Sequence, residues 1–302
     1  MNISSEKVSN AKVKPLAKID RKDDVKVKGA DYLPDPDCVC LYCSRRKSGK
    51  STTMATCVYK TTTKRTVFFI FSPTHNVDET MTGLIENLKK RGNQVNVYSS
   101  LFDGKIDRLD FIMKELLKEE SESEEEKSNP SQAINKMKEL KPIQIGGARY
   151  MTLADVDNHT KEPEKKEKKK PKYKPKYKAP EYCFIIDDLG TELIKSKGLV
   201  DLCFNGRHIH ASLHISFQYK NSLPPKAWEQ CSYLFIFKNF NKEKLKDIYE
   251  SLDLKNIDNF EQFFDIYKYA TQEDNYPFLL CDIQDGIYRE RFNKRINFEK
   301  VE

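Results

Sequence analysis

The feature that most limits how this chain can fold is the turn Ser44-Arg45-Arg46-Lys47-Ser48-Gly49-Lys50-Ser51-Thr52, set directly after the apolar run Cys38-Val39-Cys40-Leu41-Tyr42-Cys43. Bounded by charged residues, that run fits a strand buried on both faces. The residues that follow suit a helix through Thr52–Thr63. Such a strand–turn–helix points successive backbone N–H groups and a positive helix terminus at one spot, which is what a polyphosphate requires. The turn matches G-x-x-x-x-G-K-[ST] except that Ser44 stands where the first glycine belongs. Gly49 allows close backbone approach, Lys50 sets an ammonium against β/γ phosphates, and the Ser51 hydroxyl can ligate Mg²⁺. The residues assigned to the nucleotide are Ser44, Lys47, Ser48, Gly49, Lys50, Ser51 and Thr52. A basic surface turn is the competing account, and it leaves the flanking strand and helix without a reason.

Downstream, Val67–Phe71 is a second buried strand, followed by an amphipathic helix around Asp78–Arg91, a strand at Gln94–Tyr98 and a helix near Asp107–Lys118. This β-α-β-α-β rhythm predicts an α/β domain with a mainly parallel sheet and helical crossovers. Two charge blocks interrupt it: Lys118–Lys127 is acidic, and Lys161–Lys178 carries ten lysines against three glutamates. We therefore expect a basic, disordered arm at 1–30, a P-loop domain built from 31–118 and 181–302, and a charged, largely disordered insertion at 119–180 with one helix near Gln132–Leu140. The lysine tract, interleaved with Tyr173 and Tyr177, suits either a solvated linker or a tether to phosphates. The net charge of +7 is compatible with an acidic polymer as partner without requiring one.

Order resumes at Tyr182–Ile186, a helix is expected at Glu192–Phe204, and strands follow at Leu213–Gln218 and Tyr233–Phe237, with Pro224-Pro225 opening a short helix between them. Helical patterns at Lys242–Leu252 and Phe260–Thr271 precede a strand pair at Pro277–Asp282 and Gly286–Arg291. The polar N-terminus has no secretory pattern, and no apolar run approaches a membrane span. A soluble protein in a reducing compartment is the expectation. Of eight cysteines, five are scattered among apolar neighbours, while Cys38, Cys40 and Cys43 cluster without a second ligand pair at zinc-finger distance, so buried strand thiols are the better reading.

Asp187 and Asp188 close the hydrophobic strand Cys183–Ile186. In P-loop enzymes an aspartate at such a tip, on the strand beside the cradle, holds Mg²⁺, and Asp188 next to it is placed to polarise the attacking water. Gln218, polar at the tip of another apolar strand, is a candidate to sense the γ-phosphate or orient water, since strand tips on one sheet edge converge on the ligand. Arg207 lies in the loop between those strands and could stabilise transition-state charge in a neighbouring subunit; a surface salt bridge is the alternative. His208, His210 and His214 mix loop and strand spacing with no carboxylate or cysteine completing a metal site.

Taken in order, SRRKSGKST, FFIFSPT, CFIIDDLG, NGRHIHASLHISFQ and LPPKAWEQCSYLFIF resemble the genome-packaging ATPases of large DNA viruses, virophages and Polinton-type elements, within the FtsK–HerA superfamily. The resemblance covers roughly 37–250 outside the insertion. It implies a RecA/FtsK-like three-layer fold and an ATP- and Mg²⁺-dependent motor. It further implies a homo-oligomeric ring around double-stranded DNA, capsid portal or vertex proteins as partners, and a location in the host cytoplasm (a virus factory) or the virion. By matching positions, Lys50 and Ser51 take the Walker A roles, Asp187 and Asp188 the Walker B roles, Gln218 the sensor role and Arg207 that of a finger acting in trans. Ser44 and the charged insertion depart from the family pattern. A P-loop nucleoside or nucleotide kinase shares the cradle but predicts an arginine-rich lid near the C-terminus, where no arginine cluster stands. A nucleotide-gated DNA-binding scaffold is the non-enzymatic alternative.

Overall fold

The structure, a computed structural model, describes residues 3–7, 33–45, 47–123, 179–273 and 276–298. The chain divides into two compact units, Met1–Met113 with Tyr177–Glu302, and Lys114–Lys176. Of the second, only the continuation of one helix is described, with a Lys118–Glu115 ion pair of 3.1 Å. The insertion expected at 119–180, including the helix near Gln132–Leu140 and the lysine tract, otherwise lies outside the described residues.

The first unit is built on one ten-stranded sheet. Its strands are β1 (Ile3–Lys7), β2 (Val39–Cys43), β3 (Val67–Phe71), β4 (Val95–Tyr98), β7 (Tyr182–Asp187), β8 (Ala211–Phe217), β9 (Tyr233–Phe237), β10 (Phe278–Asp282), β11 (Ile287–Glu290) and β12 (Lys294–Phe298). They run in the order β1-β12-β11-β10-β9-β2-β8-β7-β3-β4. The six from β9 to β4 are parallel, and β10, β11, β12 and β1 add on as an antiparallel flank. A separate two-stranded ladder pairs β5 (Phe102–Asp103) with β6 (Ile106–Asp107).

Helices cover both faces. Met54, Ala55, Cys57 and Val58 of α1 (Lys50–Thr61) and Met81, Leu84, Ile85 and Leu88 of α2 (Glu79–Lys90) pack on Cys40, Tyr42, Phe68, Ile70, Cys183 and Ile185. Their neighbours along the same strands point the other way by the two-residue pleat. There Phe217 meets Trp228 of α6 (Pro225–Glu229) edge-on at 5.3 Å, and Tyr267 of α8 (Phe260–Ala270) donates to the Phe237 carbonyl at 3.0 Å. The α/β three-layer architecture is thus present. α7 (Lys242–Tyr249) completes the C-terminal helices.

Three local readings need correction. The helix expected at Glu192–Phe204 is two: α4 (Gly190–Leu193) and α5 (Lys197–Asn205). Ser196 divides them, because its Oγ accepts from Leu199 N at 3.0 Å and opens a new helix. Ile3–Lys7, inside the arm expected to be unstructured, pairs along its length with β12; ladder hydrogen bonds are made by backbone, so a polar segment with no apolar alternation can still be a strand. The acidic strand β7 is not beside the cradle strand β2, because β8 stands between them. The crossover from β7 through α5 returns the chain into the gap.

α3 (Arg108–Ser123) is capped by Asp107, whose Oδ1 accepts from Leu109 N and Asp110 N at 3.0 and 3.3 Å. Asp107 Oδ2 also takes Ser196 Oγ and Gly198 N at 2.8 and 3.0 Å, tying α5 to the start of α3. A side chain at Gly198 would stand 1.9 Å from Asp110 N, so only glycine permits this approach.

Candidate nucleotide site

The parallel strands carry their functional residues at their carboxyl ends. After β2, Ser44 is fully buried and its N–H donates to the Phe217 carbonyl at 3.2 Å, continuing the β2–β8 ladder for one more residue. Lys47 and Gly49 both have positive φ, 61° and 85°. Gly49 in that left-handed conformation is the N-cap of α1, and Thr53 N donates to its carbonyl at 2.9 Å. No side chain caps α1 and no acid occupies its first turn. The hydroxyls of Ser44 and Ser48 are buried without a hydrogen-bond partner among the described residues. Orphaned donors around an uncapped helix N-terminus form an anion site by construction.

Lys50 Nζ stands 3.9 Å from Asp187 Oδ1, with both side chains largely buried. Asp187 also accepts from Ser216 Oγ, on β8, in a short hydrogen bond. Its carboxyl is raised above the usual carboxylate range, first by burial and then by the neighbouring Asp188 and Asp78, while Lys50 and Ser216 pull the other way. Asp188 has φ of 54°, a left-handed conformation uncommon for non-glycine residues. That twist turns its carboxylate out of the strand line to where Gln218 Nε2 donates to Oδ1 at 2.9 Å.

The structure therefore brings Ser44, Lys47, Ser48, Gly49, Lys50, Ser51, Thr52, Asp187, Asp188 and Gln218 to one sheet edge, although β8 separates the two motif-bearing strands. Oxygen donors from Ser51 and Asp187 beside a phosphate cradle suit a hard divalent cation such as Mg²⁺. Arg207 is elsewhere. It lies exposed in the 3₁₀ turn Gly206–Ile209, before β8 begins at Ala211. Seven residues of strand at ~3.3 Å each put it roughly 23 Å from Gln218. It cannot reach the cradle of its own chain.

Two residues of the site were missed from sequence. Ser216 sits inside an apolar strand, where a small hydroxyl looks neutral; only the register Asp187↔Ser216 reveals its role. Asp78 was placed only as the start of a helix. It caps α2, accepting from Thr80 N and Met81 N at 2.8 and 3.0 Å, and its charge acts on Asp187. Two of the three histidines serve the fold: His210 pairs with Asp37 at 3.1 Å, and His214, buried beside Tyr42 with its Nδ1 3.0 Å from the phenol oxygen, is pushed down to about 3 by burial. Cys38 and Cys40 are buried thiols with sulfurs 3.4 Å apart.

A family model described as Poxvirus A32 protein matches residues 152–299, a stretch that contains both acids, Arg207 and Gln218 but not the cradle. No curated protein matches the chain. Among solved structures, the genome packaging NTPase B204 from Sulfolobus turreted icosahedral virus 2 is similar in its complex with ATP-gammaS at 13% identity and TM-score 0.46, covering 89% of this chain and 100% of that one. Its complex with AMP gives 14%, 0.45, 89% and 99%. B204 described as the DNA-packaging ATPase from Sulfolobus Turreted Icosahedral Virus gives 13%, 0.47, 89% and 100%. The resemblance carried by the motifs is borne out by this similarity to the Poxvirus A32 protein model over residues 152–299, which hold the acidic strand and its partner glutamine.

Proposed function

We propose that this chain is an ATP-hydrolysing DNA translocase that drives a viral double-stranded DNA genome into its capsid. The observation that carries this reading is the pairing of Asp188 with Gln218 beside Lys50 and Asp187 on one sheet edge. The family match over the acidic strand and the order of the motifs support it.

The cradle backbone, with Ser44, Lys47, Ser48, Gly49 and Thr52, binds the triphosphate, and Lys50 neutralises its β and γ oxygens. Ser51 and Asp187 would hold Mg²⁺, which would shield the phosphate charge when bound. Asp188 accepts a hydrogen bond from the attacking water, and Gln218 fixes the direction of that carboxylate. The water oxygen bonds to the γ-phosphorus, the bond to the β–γ bridging oxygen breaks, and ADP and phosphate leave. Most of the acceleration comes from positioning and electrostatics. Arg207 acts on a neighbouring copy in a homo-oligomeric ring, with duplex DNA in the channel and capsid portal or vertex proteins outside. The host cytoplasm or the virion is where such a motor works. Among the described residues, no helix is long and apolar enough to cross a membrane.

The test is steady-state ATP hydrolysis with and without long duplex DNA, for wild type and Lys50→Ala. Hydrolysis stimulated by DNA and lost in the variant is expected. A wild type that hydrolyses slowly and ignores DNA would make the chain a nucleotide-gated scaffold, and phosphate transfer to a deoxynucleoside would make it a kinase.

A further inference from the structure

One exposed aromatic side chain lies against the cradle and has no part in the chemistry above. Tyr276 is 63% exposed, yet a methyl group built on Gly49 would stand 2.8 Å from its Cβ and 2.9 Å from its Cγ and Cδ1. Its ring therefore packs directly on the glycine that opens α1. Core packing is no reason for this, because most of the ring faces solvent.

Topology explains why it is there. Phe278 pairs with Phe237, and Lys238 N donates to the Pro277 carbonyl at 3.3 Å, so Tyr276 sits at the carboxyl end of β9. β9 flanks β2 on one side, and β8 with β7 lies on the other. The reacting groups, Lys50 with Asp187 and Asp188 with Gln218, all stand on the β8–β7 side. A triphosphate whose γ-phosphate lies among those groups extends its nucleoside the opposite way, towards Tyr276. Tyr276 has φ of 57° directly before Pro277, a combination disfavoured for a bulky residue in that position. Upstream, Glu273 is fixed by Lys294 at 3.1 Å and Arg291 at 3.6 Å, and its carbonyl accepts from Lys238 Nζ at 3.3 Å.

We propose that Tyr276 forms the nucleobase wall of the cradle, stacking on the base of the bound nucleoside triphosphate. The proposal rests on reading the cradle as a nucleotide site, and it adds which end of the nucleotide lies on which side of β2. A flat ring accepts any base by stacking, so this wall provides affinity with little base selectivity.

Calorimetric binding of magnesium–ATP and of inorganic tripolyphosphate to the full chain tests it, with Tyr276→Ala, Tyr276→Phe and Lys50→Ala. Tripolyphosphate has the phosphates without the base. Tyr276→Ala is expected to weaken ATP about tenfold and leave tripolyphosphate unchanged, while Tyr276→Phe keeps the ring and binds ATP within about twofold of wild type. Unchanged ATP affinity in Tyr276→Ala overturns the proposal. Equal changes in both ligands, in either direction, also overturn it, since the ring would then only cover the phosphates. Lys50→Ala should weaken both ligands. Should it bind ATP like wild type, the cradle reading itself fails and takes the nucleobase wall with it.

Discussion

The two ends of the six parallel strands differ in how their polar groups are treated. At the amino ends, most polar groups close on one another, Asp37 Oδ1 being a buried exception among the described residues. Asp37 N donates to Ser212 Oγ at 3.0 Å and the Asp37 carboxylate meets His210. Glu181 N donates to the His210 carbonyl at 2.8 Å, Thr66 Oγ1 to the Pro180 carbonyl at 2.8 Å, and Asn93 Nδ2 bridges the Thr63 and Thr66 carbonyls, each at 2.8 Å. At the carboxyl ends, Ser44 and Ser48 keep buried hydroxyls without partners among the described residues, α1 starts with no side-chain cap, and Asp188 holds a left-handed backbone. Folding alone favours the first arrangement. The second leaves donors unmet that a bound polyphosphate would satisfy, as sites of function commonly do. Arg207 reverses the pattern: an exposed cation with no ion pair among the described residues, at the otherwise closed end. Under the proposed function, one copy's amino end would complete another copy's carboxyl end.

Four substitutions or conditions probe that contrast. The largest effect is expected at Asp188→Asn, which keeps the left-handed backbone because asparagine tolerates it. ATP hydrolysis should fall about a thousandfold, with ATP binding retained; hydrolysis near wild type would remove Asp188 from the chemistry. Gln218→Ala frees that carboxylate to rotate and should cost about a hundredfold in kcat with little change in KM. A change confined to KM would make Gln218 a binding residue instead.

Next is acidification. His214 is neutral in the fold with its pKa lowered to about 3, whereas in the unfolded chain it titrates near 6.5. Below that value only the unfolded chain takes up the proton, so stability falls with pH from about 6.5 towards 3, by about 2 kcal/mol at pH 5. Asp187 acts in the opposite sense. Its raised pKa means the fold binds a proton before the unfolded chain does, which relieves a burial cost as pH falls through the folded value. Chemical denaturation of wild type and His214→Gln between pH 7 and 5 separates the two. A wild-type slope that survives in the variant would assign the effect elsewhere. The smallest effect is expected at Ser216→Ala, where Asp187 loses its hydroxyl donor and about tenfold more Mg²⁺ should be needed for half-maximal activity.

Much of the carboxyl end was legible in the sequence because each motif there is a strand tip with its own local signature: SGKS after an apolar run, the double aspartate, and the glutamine after HISF. What joins those motifs was not. The placement of β8 between β2 and β7 depends on non-local pairing, and Ser216 acquires its role only through that register. Tyr276 was hidden in a loop whose relation to Gly49 comes from antiparallel pairing of β10 with β9. The start of β8 was read two residues late, at Leu213 rather than Ala211, since Ala and Ser interrupt the apolar pattern. Ile3–Lys7, at the sheet edge, and Lys294–Phe298, paired between it and β11, escaped notice because both are largely polar and their ladders are made by backbone.

The claim that two copies share a site is most directly tested by mixing. Lys50→Ala keeps Arg207 but has a disabled cradle, and Arg207→Ala has an intact cradle without the arginine. Each alone should hydrolyse ATP poorly in the presence of long duplex DNA, and an equimolar mixture should recover a fraction of wild-type activity. Arg207→Ala hydrolysing ATP at the wild-type rate on its own would contradict the account.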